Sequence, residues 1–188
     1  MTEIAFLVEI KGTKPLIMHS TRGMIEAPKN NRGGKLQPKN EAELCLYKND
    51  DGKIIIPSDV IMGVIKNSAS DFKAPGKGKK TFKRYVDSGL EINTDAEIYP
   101  QQWVIDSRSV VIQRSRVIRN RPRFDNWNAK FIINVLDPET WIDVYDKTYG
   151  GGANIRDILI AAGKFKGICD FRPRFGRFEV VKFEPAQQ

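Results

Sequence analysis

The chain has 188 residues, of which 40% are hydrophobic, and its formal net charge is +8 at pH 7. That length and composition fit one domain with a buried core and exclude a disordered chain. Cys45 and Cys169 are the only cysteines and lie far apart without a CxxC motif, which argues against a disulfide framework and a zinc site. No apolar run approaches ~18 residues and no signal peptide is recognisable, so we expect a soluble, cytoplasmic protein without a membrane partner.

Basic residues concentrate in four segments of the chain. These segments hold 21 of the 31 lysines and arginines but one of the 23 acidic residues: Lys29–Lys39, Lys73–Arg84, Arg108–Arg123 and Lys164–Arg177. Such segregation is typical of a surface that binds a polyanion, and the alternative is a set of four solvated basic loops.

The first third of the chain alternates between strand-like and irregular segments. Residues 3–10 alternate apolar and polar side chains, which predicts a strand. Residues about 20–40 contain glycine, proline and four basic residues, so we predict a long basic loop. Residues 42–47 and 54–57 flank Asp51-Gly52 and predict a hairpin.

A helix is predicted next, with Ser58 as its N-cap and an apolar face that runs to Ala69. Gly63 weakens such a helix, so we expect that another backbone approaches closely there. A second basic loop spans residues about 72–86, and residues 90–99 and 103–105 predict short strands.

Two further elements are predicted near the end of the chain. A second helix follows the glycines at 150–152, with Asn154 as a candidate N-cap, and a glycine- and arginine-rich turn leads to a last strand at 177–183. The element order is compatible with a single α+β domain over residues 1–188, a ferredoxin-like (RRM-like) antiparallel sheet with two helices.

Residues about 108–136 stand out as an arginine-rich β-hairpin, with arms at 109–118 and 129–136 joined by a tip. No acidic residue occurs among its six arginines until Asp125, so the hairpin has no internal partner for them and needs an external anion. The six are Arg108, Arg114, Arg116, Arg119, Arg121 and Arg123.

The position of each arginine within this hairpin predicts its role. Arg114 and Arg116 share a strand face with Ile112 and Ile118. The tip carries Arg119, Arg121 and Arg123, where phosphates can be reached.

Phe124 and Trp127 lie beside the arginines of the tip. The two aromatic residues either stack on bases or pack at the hairpin base.

Three segments resemble motifs of the RAMP superfamily of CRISPR-associated proteins. PLIMHS follows the first strand, IIIPSDVIMGVIKNSA begins the first helix, and GICDFRPRFGRFEV lies near the end of the chain. In that superfamily a proline-leucine step, a helix start of the form I-P-G-S-S-x-x-G-x-x-R and a glycine-rich loop G-x-R-x-x-x-G-x-G occur in this order. Here Asp59 replaces a serine, Lys66 replaces the arginine, and Asp170 stands in the final loop.

The arginine hairpin is similar to the RNA-contacting hairpin of the Cas7-like backbone subunits, which polymerise along a guide RNA. The resemblance implies a non-catalytic subunit of an antiviral ribonucleoprotein that coats single-stranded guide RNA largely without reading its sequence. It implies a homo-oligomer along the RNA, other effector subunits as further partners, and neither cofactor nor metal. Beyond the hairpin, the candidate RNA-binding residues are Lys77, Lys79, Lys80, Arg172, Arg174 and Arg177. The last three arginines alternatively pair with acids of a neighbouring subunit.

Two catalytic alternatives and one structural alternative compete with this interpretation. His19, the only histidine, is a candidate acid or base of a metal-independent, guide-RNA-processing endoribonuclease, although no second acid-base group is evident beside it. Target cleavage of the type III kind needs an aspartate in the loop after the first strand, where Glu26 is the only acid, so Glu26 is predicted to be a salt-bridge partner. The third alternative is a basic RNA-binding structural protein unrelated to CRISPR.

Overall fold

A computed structural model describes residues 4–30, 36–74, 77–136 and 155–186. Its strands are β1 (Ile4–Gly12), β2 (Leu16–Ile17), β3 (Ile55–Ile56), β4 (Leu90–Glu91), β5 (Ala96–Tyr99), β6 (Val104–Ile112), β7 (Ser115–Phe124), β8 (Asn128–Val135) and β9 (Phe178–Pro185). Its helices are α1 (Thr21–Asn30), α2 (Pro38–Leu44), α3 (Ser58–Ala69), α4 (Lys83–Gly89) and α5 (Ile155–Ala161), and α5 continues into a π-helical segment, Ala162–Lys166. None of the helices in the described ranges is long and apolar enough to cross a membrane.

The main sheet is antiparallel and has the strand order β3-β5-β8-β1-β9, with β4 paired to β8. The predicted first strand is an interior strand of this sheet, because β1 pairs with β8 on one side and β9 on the other. Val8 and Ile10 are fully buried, as the alternation in the sequence predicts. Helices α3 and α5 contact each other and contribute to the same hydrophobic core, so the predicted α+β, ferredoxin-like architecture is confirmed.

Helix α3 has the predicted bounds but two different details. Its N-cap is Pro57, and the backbone N–H of Ser58 donates to the Asp95 carboxylate at 2.8 Å, so Ser58 itself is not the cap. A Cβ at Gly63 would meet no heavy atom within 4 Å, so the predicted close backbone approach is wrong. The buried face continues to Ser68, whose hydroxyl donates to the carbonyl of Ile158 in α5.

The two predicted basic loops contain helices. Helices α1 and α2 occupy much of residues 20–40, and α2 extends into residues 42–47, which were predicted to be a strand. Pro38 in the first turn of α2 explains the difference, because its fixed φ suits a helix start. The second loop closes with a bridge between Lys73 and Thr81 and then enters α4. The predicted Asn154 cap and the glycines before it lie outside the described residues.

A second, three-stranded sheet has the order β2-β7-β6 and carries the arginine hairpin. The hairpin consists of β6 and β7, which pair from Val104 opposite Arg123 to Ile112 opposite Ser115. The predicted second arm is instead β8, which pairs with β1 in the main sheet. Alternation of apolar residues fits both pairings equally, since it fixes the faces of a strand and not its partner.

The true tip of the hairpin is Gln113–Arg114. Both residues have positive φ, 48° and 67°, as the tight two-residue turn of a twisted hairpin requires. Arg119, Arg121 and Arg123 therefore lie along β7 and not at the tip. Arg116 shares a face with Ile118, but Ile112 lies on the other strand opposite Ser115, so the predicted four-residue face is wrong.

Candidate nucleic-acid interface

Strand β7 places Arg119, Arg121 and Arg123 on one face, because they alternate along the strand. Each has an acidic partner inside the protein. Arg119 Nη1 donates to Glu41 at 3.2 Å, Arg121 Nη1 lies 2.5 Å from Asp170, and Arg123 Nη1 donates to Asp106 at 3.2 Å. The prediction that the hairpin lacks internal anionic partners is therefore wrong for these three residues.

Asp106, on β6, neutralises two arginines at the base of the hairpin, Arg108 and Arg123. Its carboxylate also accepts two hydrogen bonds from Arg108, from Nε and from Nη2, and only 6% of the residue is exposed. Burial alone would raise the pKa of this carboxyl group, but the bonds and charges of Arg108 and Arg123 outweigh it and hold the pKa below its usual value. Asp106 is consequently ionised wherever the hairpin is folded near neutral pH.

Glu41 joins α2 to the free edge of β7. Besides Arg119, its buried carboxylate accepts a hydrogen bond of 2.7 Å from the Asn120 side chain. The Asn120 side-chain oxygen in turn accepts from Ser107 of β6 at 2.6 Å. A polar network thus fixes α2 against both strands of the hairpin.

The C-terminal turn, residues 168–177, packs against the same face of the hairpin. Its backbone N–H groups at Asp170 and Gly176 donate to the carbonyls of Ile17 and Pro15, at 2.9 and 2.8 Å. The Asp170 carboxylate meets Arg121, so the glycine-rich motif and the hairpin form one structural unit.

Two aromatic rings of this turn contact the hairpin arginines. The Phe171 ring lies under the guanidinium groups of Arg108 and Arg121, at 5.4 and 4.7 Å from its centroid, and the Phe175 ring lies 4.5 Å from that of Arg108. These distances are those of cation–π contacts.

Two clefts meet at His19, which lies between β2 and α1. The first, about 430 Å³, is lined by the hairpin and α2, including Val111, Arg119 and Arg121. The second, about 420 Å³, is lined by α3 and the C-terminal turn, including Tyr47 and Arg172. His19 lines both clefts, and the two clefts together are called the His19 groove below.

His19 is half-buried in this groove. Burial, followed by the charge of Arg121, lowers the pKa of its imidazole, although Asp170 Oδ2 lies 3.9 Å from Nδ1. The neighbouring Tyr47 hydroxyl donates to the His19 carbonyl at 3.2 Å, and burial raises the pKa of that phenol. The groove therefore holds a neutral imidazole and a protonated phenol near pH 7.

Four arginines of the hairpin and the C-terminal turn have no acidic partner within 4 Å among the described residues, and of these Arg172 lines the groove. Arg114 and Arg116 are exposed at the hairpin tip, and Arg172 and Arg174 are exposed on the C-terminal turn. Arg177 is partly buried and donates to the carbonyl of Pro173, so it holds the turn together.

Lys77, Lys79 and Lys80 are exposed but lie elsewhere. Lys80 lines a separate cleft of about 770 Å³ with Lys83 and Arg84. No residue of that cleft lines the His19 groove. The structure therefore does not bring the predicted lysines and hairpin arginines into one pocket.

Phe124 and Trp127, the predicted stacking residues, are core residues. Their exposed fractions are 0% and 1%. The Trp127 indole N–H donates to the carbonyl of Lys14 at 2.9 Å, and its ring packs edge-on against Phe178. Neither ring has a free face for a base, so we remove both from the proposed interface and assign them the alternative role of packing.

The acidic and cysteine side chains of the described ranges are dispersed or paired with basic residues. Within those ranges no three His, Cys, Asp or Glu side chains are grouped to hold an ion. Glu26 pairs with Arg22 one helical turn away, at 2.9 Å, in the salt-bridge role predicted for it. Burial raises the pKa of Cys45 to about 11 and that of Cys169 to about 12, so both remain thiols.

Sequence reasoning missed the residues that organise this surface. Glu41 neutralises Arg119, which follows it by 78 positions, and Asp170 neutralises Arg121, which precedes it by 49 positions. A charge count within one segment does not detect such pairs. Phe171 and Phe175 were not predicted to take part in the site. Their position two residues either side of Pro173, with Arg172 and Arg174 between them, was the available signal.

Comparisons with known proteins identify the fold. No protein-family model matches the chain, and no curated protein sequence matches it. Among solved structures, a chain in the cryo-EM structure of the type III-B Cmr-beta bound to cognate target RNA aligns with 98% of this chain, at a TM-score of 0.59 and 15% identity. This chain spans 61% of the length of that chain. The crystal structure of Cmr6 from Pyrococcus furiosus aligns over 96% of this chain and all of its own, at a TM-score of 0.51 and 10% identity.

The chain shares the fold of these two structures. This agrees with the resemblance indicated by the motifs at residues 15–20, 54–69 and 167–180. In the fold, those three motifs meet around the His19 groove: His19, Asp59 and Asp170 all line its second cleft.

Proposed function

We propose that this chain is a non-catalytic, RNA-binding subunit of a CRISPR effector, which holds single-stranded guide RNA in the His19 groove. The observation that carries the proposal is that arginines without acidic partners occur on both elements that line that groove. Arg172 lines its second cleft, and Arg114 and Arg116 lie at the tip of the hairpin whose residues 110–112 line its first cleft. Guanidinium groups without internal partners are suited to phosphate oxygens, and contacts to the backbone alone do not read sequence.

Self-assembly along the RNA is supported by the outer part of the hairpin. Ile118 is 69% exposed, on the strand face opposite the one that carries Arg119. An exposed β-branched residue on a projecting hairpin is suited to a protein contact. We propose that a second copy, or another effector subunit, covers it when RNA is bound.

The test is binding of fluorescent single-stranded RNA of mixed sequence at increasing salt. With five or six phosphates neutralised, the slope of log K against log salt should be about −4. Size-exclusion chromatography with RNA should give a large oligomer that dissociates after ribonuclease treatment. Lys53→Ala is the control for the loss of one positive charge at a site outside the proposed interface. Lys53 is exposed, pairs with Glu97 and lines none of the clefts described above.

Each outcome separates the candidates. No binding to single-stranded RNA would overturn the proposal. Binding to folded RNA alone, without assembly, would favour the third alternative, a basic structural protein outside CRISPR.

RNA cleavage is the second candidate function, and the position of His19 in the groove favours it. A lowered pKa leaves the imidazole neutral and able to accept a proton near pH 7. Its candidate partners are Asp170, whose Oδ2 lies 3.9 Å from Nδ1, and Tyr47, whose raised pKa disfavours a phenolate. Incubation of repeat-derived RNA with the protein in EDTA tests this candidate. Cleavage that His19→Ala abolishes would establish a metal-independent endoribonuclease.

A further inference from the structure

We propose that Phe175, on the C-terminal turn, is a stacking platform for one base of the bound RNA. This inference rests on the proposed function and deepens it, because it assigns to one side chain the base contact that the backbone contacts do not supply. Phe124 and Trp127 cannot make this base contact because both are buried.

The aromatic and cationic groups of the turn form a continuous chain of contacts. Arg121 lies against Phe171, Arg108 lies against both rings, and Phe175 is the last member. The two rings are 6.3 Å apart and inclined by 60°, so they do not cover each other. Phe175 is partly exposed and contacts one guanidinium group, which leaves a ring surface for a further planar group.

The turn is rigid enough to present that ring. A Cβ at Gly176 would lie 1.9 Å from the carbonyl oxygen of Ile168, and one at Gly167 would lie 2.7 Å from that of Phe175. Ile168 N–H also donates to the Gly176 carbonyl at 2.9 Å, and Phe175 N–H donates to the Phe171 carbonyl at 3.2 Å. The Phe175 backbone is thus fixed from both sides, and little conformational entropy remains to be lost on binding.

The charges beside Phe175 fit a nucleotide. Arg172 and Arg174 are exposed and have no acidic partner within 4 Å among the described residues, and Arg172 lines the His19 groove. A ring for the base with free guanidinium groups for the flanking phosphates is the combination that single-strand binders use.

The experiment compares RNA with bases and RNA without them. Affinities are measured by fluorescence anisotropy for a uridine 12-mer and for an abasic 12-mer of the same backbone. The wild-type protein should bind the uridine oligomer more tightly. Phe175→Leu should lower affinity for the uridine oligomer about 5- to 100-fold while the affinity for the abasic oligomer is unchanged. Phe175→Tyr should restore the difference because it keeps the ring.

Phe165→Leu is the matched control, since Phe165 is 59% exposed and sits beside Lys164 on the π-helical segment. It should behave as the wild type. Equal losses for both oligomers in Phe175→Leu, or an unchanged difference between them, would overturn the inference. A control that loses the difference while Phe175→Leu keeps it would do the same.

Two further results keep the test decisive. Failure of the wild-type protein to bind either oligomer would overturn the proposed function itself, whereas binding without an effect at Phe175 would overturn this inference alone. If Phe175→Leu does not fold, photocross-linking of 4-thiouridine RNA to the wild-type protein replaces it. Adducts at residues 168–177 support the platform, and their absence from that turn contradicts it.

Discussion

Nη1 of Arg121 lies 2.5 Å from Oδ2 of Asp170, and this contact joins strand β7 to the C-terminal turn. The two residues are 49 positions apart in the chain. Arg121 therefore stabilises the fold through an ion pair. Arg116, five positions earlier, is exposed and has no acidic partner among the described residues. The two side chains should respond differently to removal.

Arg116→Ala should flatten the salt dependence of RNA binding without a change in stability. One lost phosphate contact reduces the slope of log K against log salt by about 0.7. Arg121→Ala should instead lower the free energy of unfolding by about 1–3 kcal/mol, because it leaves Asp170 without its cation. Salt titrations by anisotropy and denaturant unfolding of both variants check this. An unchanged slope in Arg116→Ala would remove the hairpin tip from the binding surface.

Trp127→Phe should lower stability and leave RNA affinity unchanged. The variant loses the indole N–H that donates to the Lys14 carbonyl and creates a cavity in the core, which together cost about 2–4 kcal/mol. Thermal unfolding and RNA titration at a temperature where the variant is folded give the two quantities. A stable variant with weak RNA binding would return Trp127 to the interface.

Gly176→Ala and Gly63→Ala form a matched pair. Gly176 has φ +68° and no room for a Cβ, so alanine there should destabilise the protein by more than about 2 kcal/mol and weaken RNA binding as the turn is displaced. Gly63 lies in helix α3 with open space around it, so alanine should stabilise the protein by up to about 1 kcal/mol. Denaturant unfolding of both variants measures the difference, and a loss of stability in Gly63→Ala would contradict the open space there.

His19 should make stability fall as the pH drops below about 6.5. Burial lowers the pKa of its imidazole in the folded protein, so the unfolded chain binds a proton in a pH range where the folded chain does not. The free energy of unfolding therefore decreases as the pH drops from the unfolded-state pKa to the folded-state pKa. Above the unfolded-state pKa this contribution does not change with pH. His19→Gln should remove this part of the pH dependence. Unfolding curves between pH 5 and pH 8 test it, and identical profiles for the two proteins would contradict the burial effect.

The sequence predicted the elements whose pattern is local. The alternation in β1 and the helical spacing from Ile61 to Ala69 depend on neighbouring residues, and both elements lie where they were expected. The partner of β8 was not predictable in this way, since an apolar face pairs with β1 as well as with a hairpin arm. Residues 42–47 illustrate a further limit, because a short apolar run is ambiguous between helix and strand until Pro38 is weighed.

The site residues named from the sequence stay a prediction, and the structure shows only where they lie. The hairpin and the C-terminal turn each line one of two clefts that share His19, and Arg114, Arg116, Arg172 and Arg174 are exposed. Which arginines are free depends on acids that the fold brings from α2, β6 and the C-terminal turn. Burial of Phe124 and Trp127 depends likewise on contacts across the fold, such as the one between Trp127 and Lys14.

Glu41, Asp106 and Asp170 act as counterions that the protein carries with it. They separate arginines that recur at every second position of β7 and would otherwise repel one another along one face of the strand. The hairpin can therefore fold completely in the absence of nucleic acid, and RNA binds to a hairpin that is already formed. A newly made subunit held in this state would be competent to add to an assembly without first refolding.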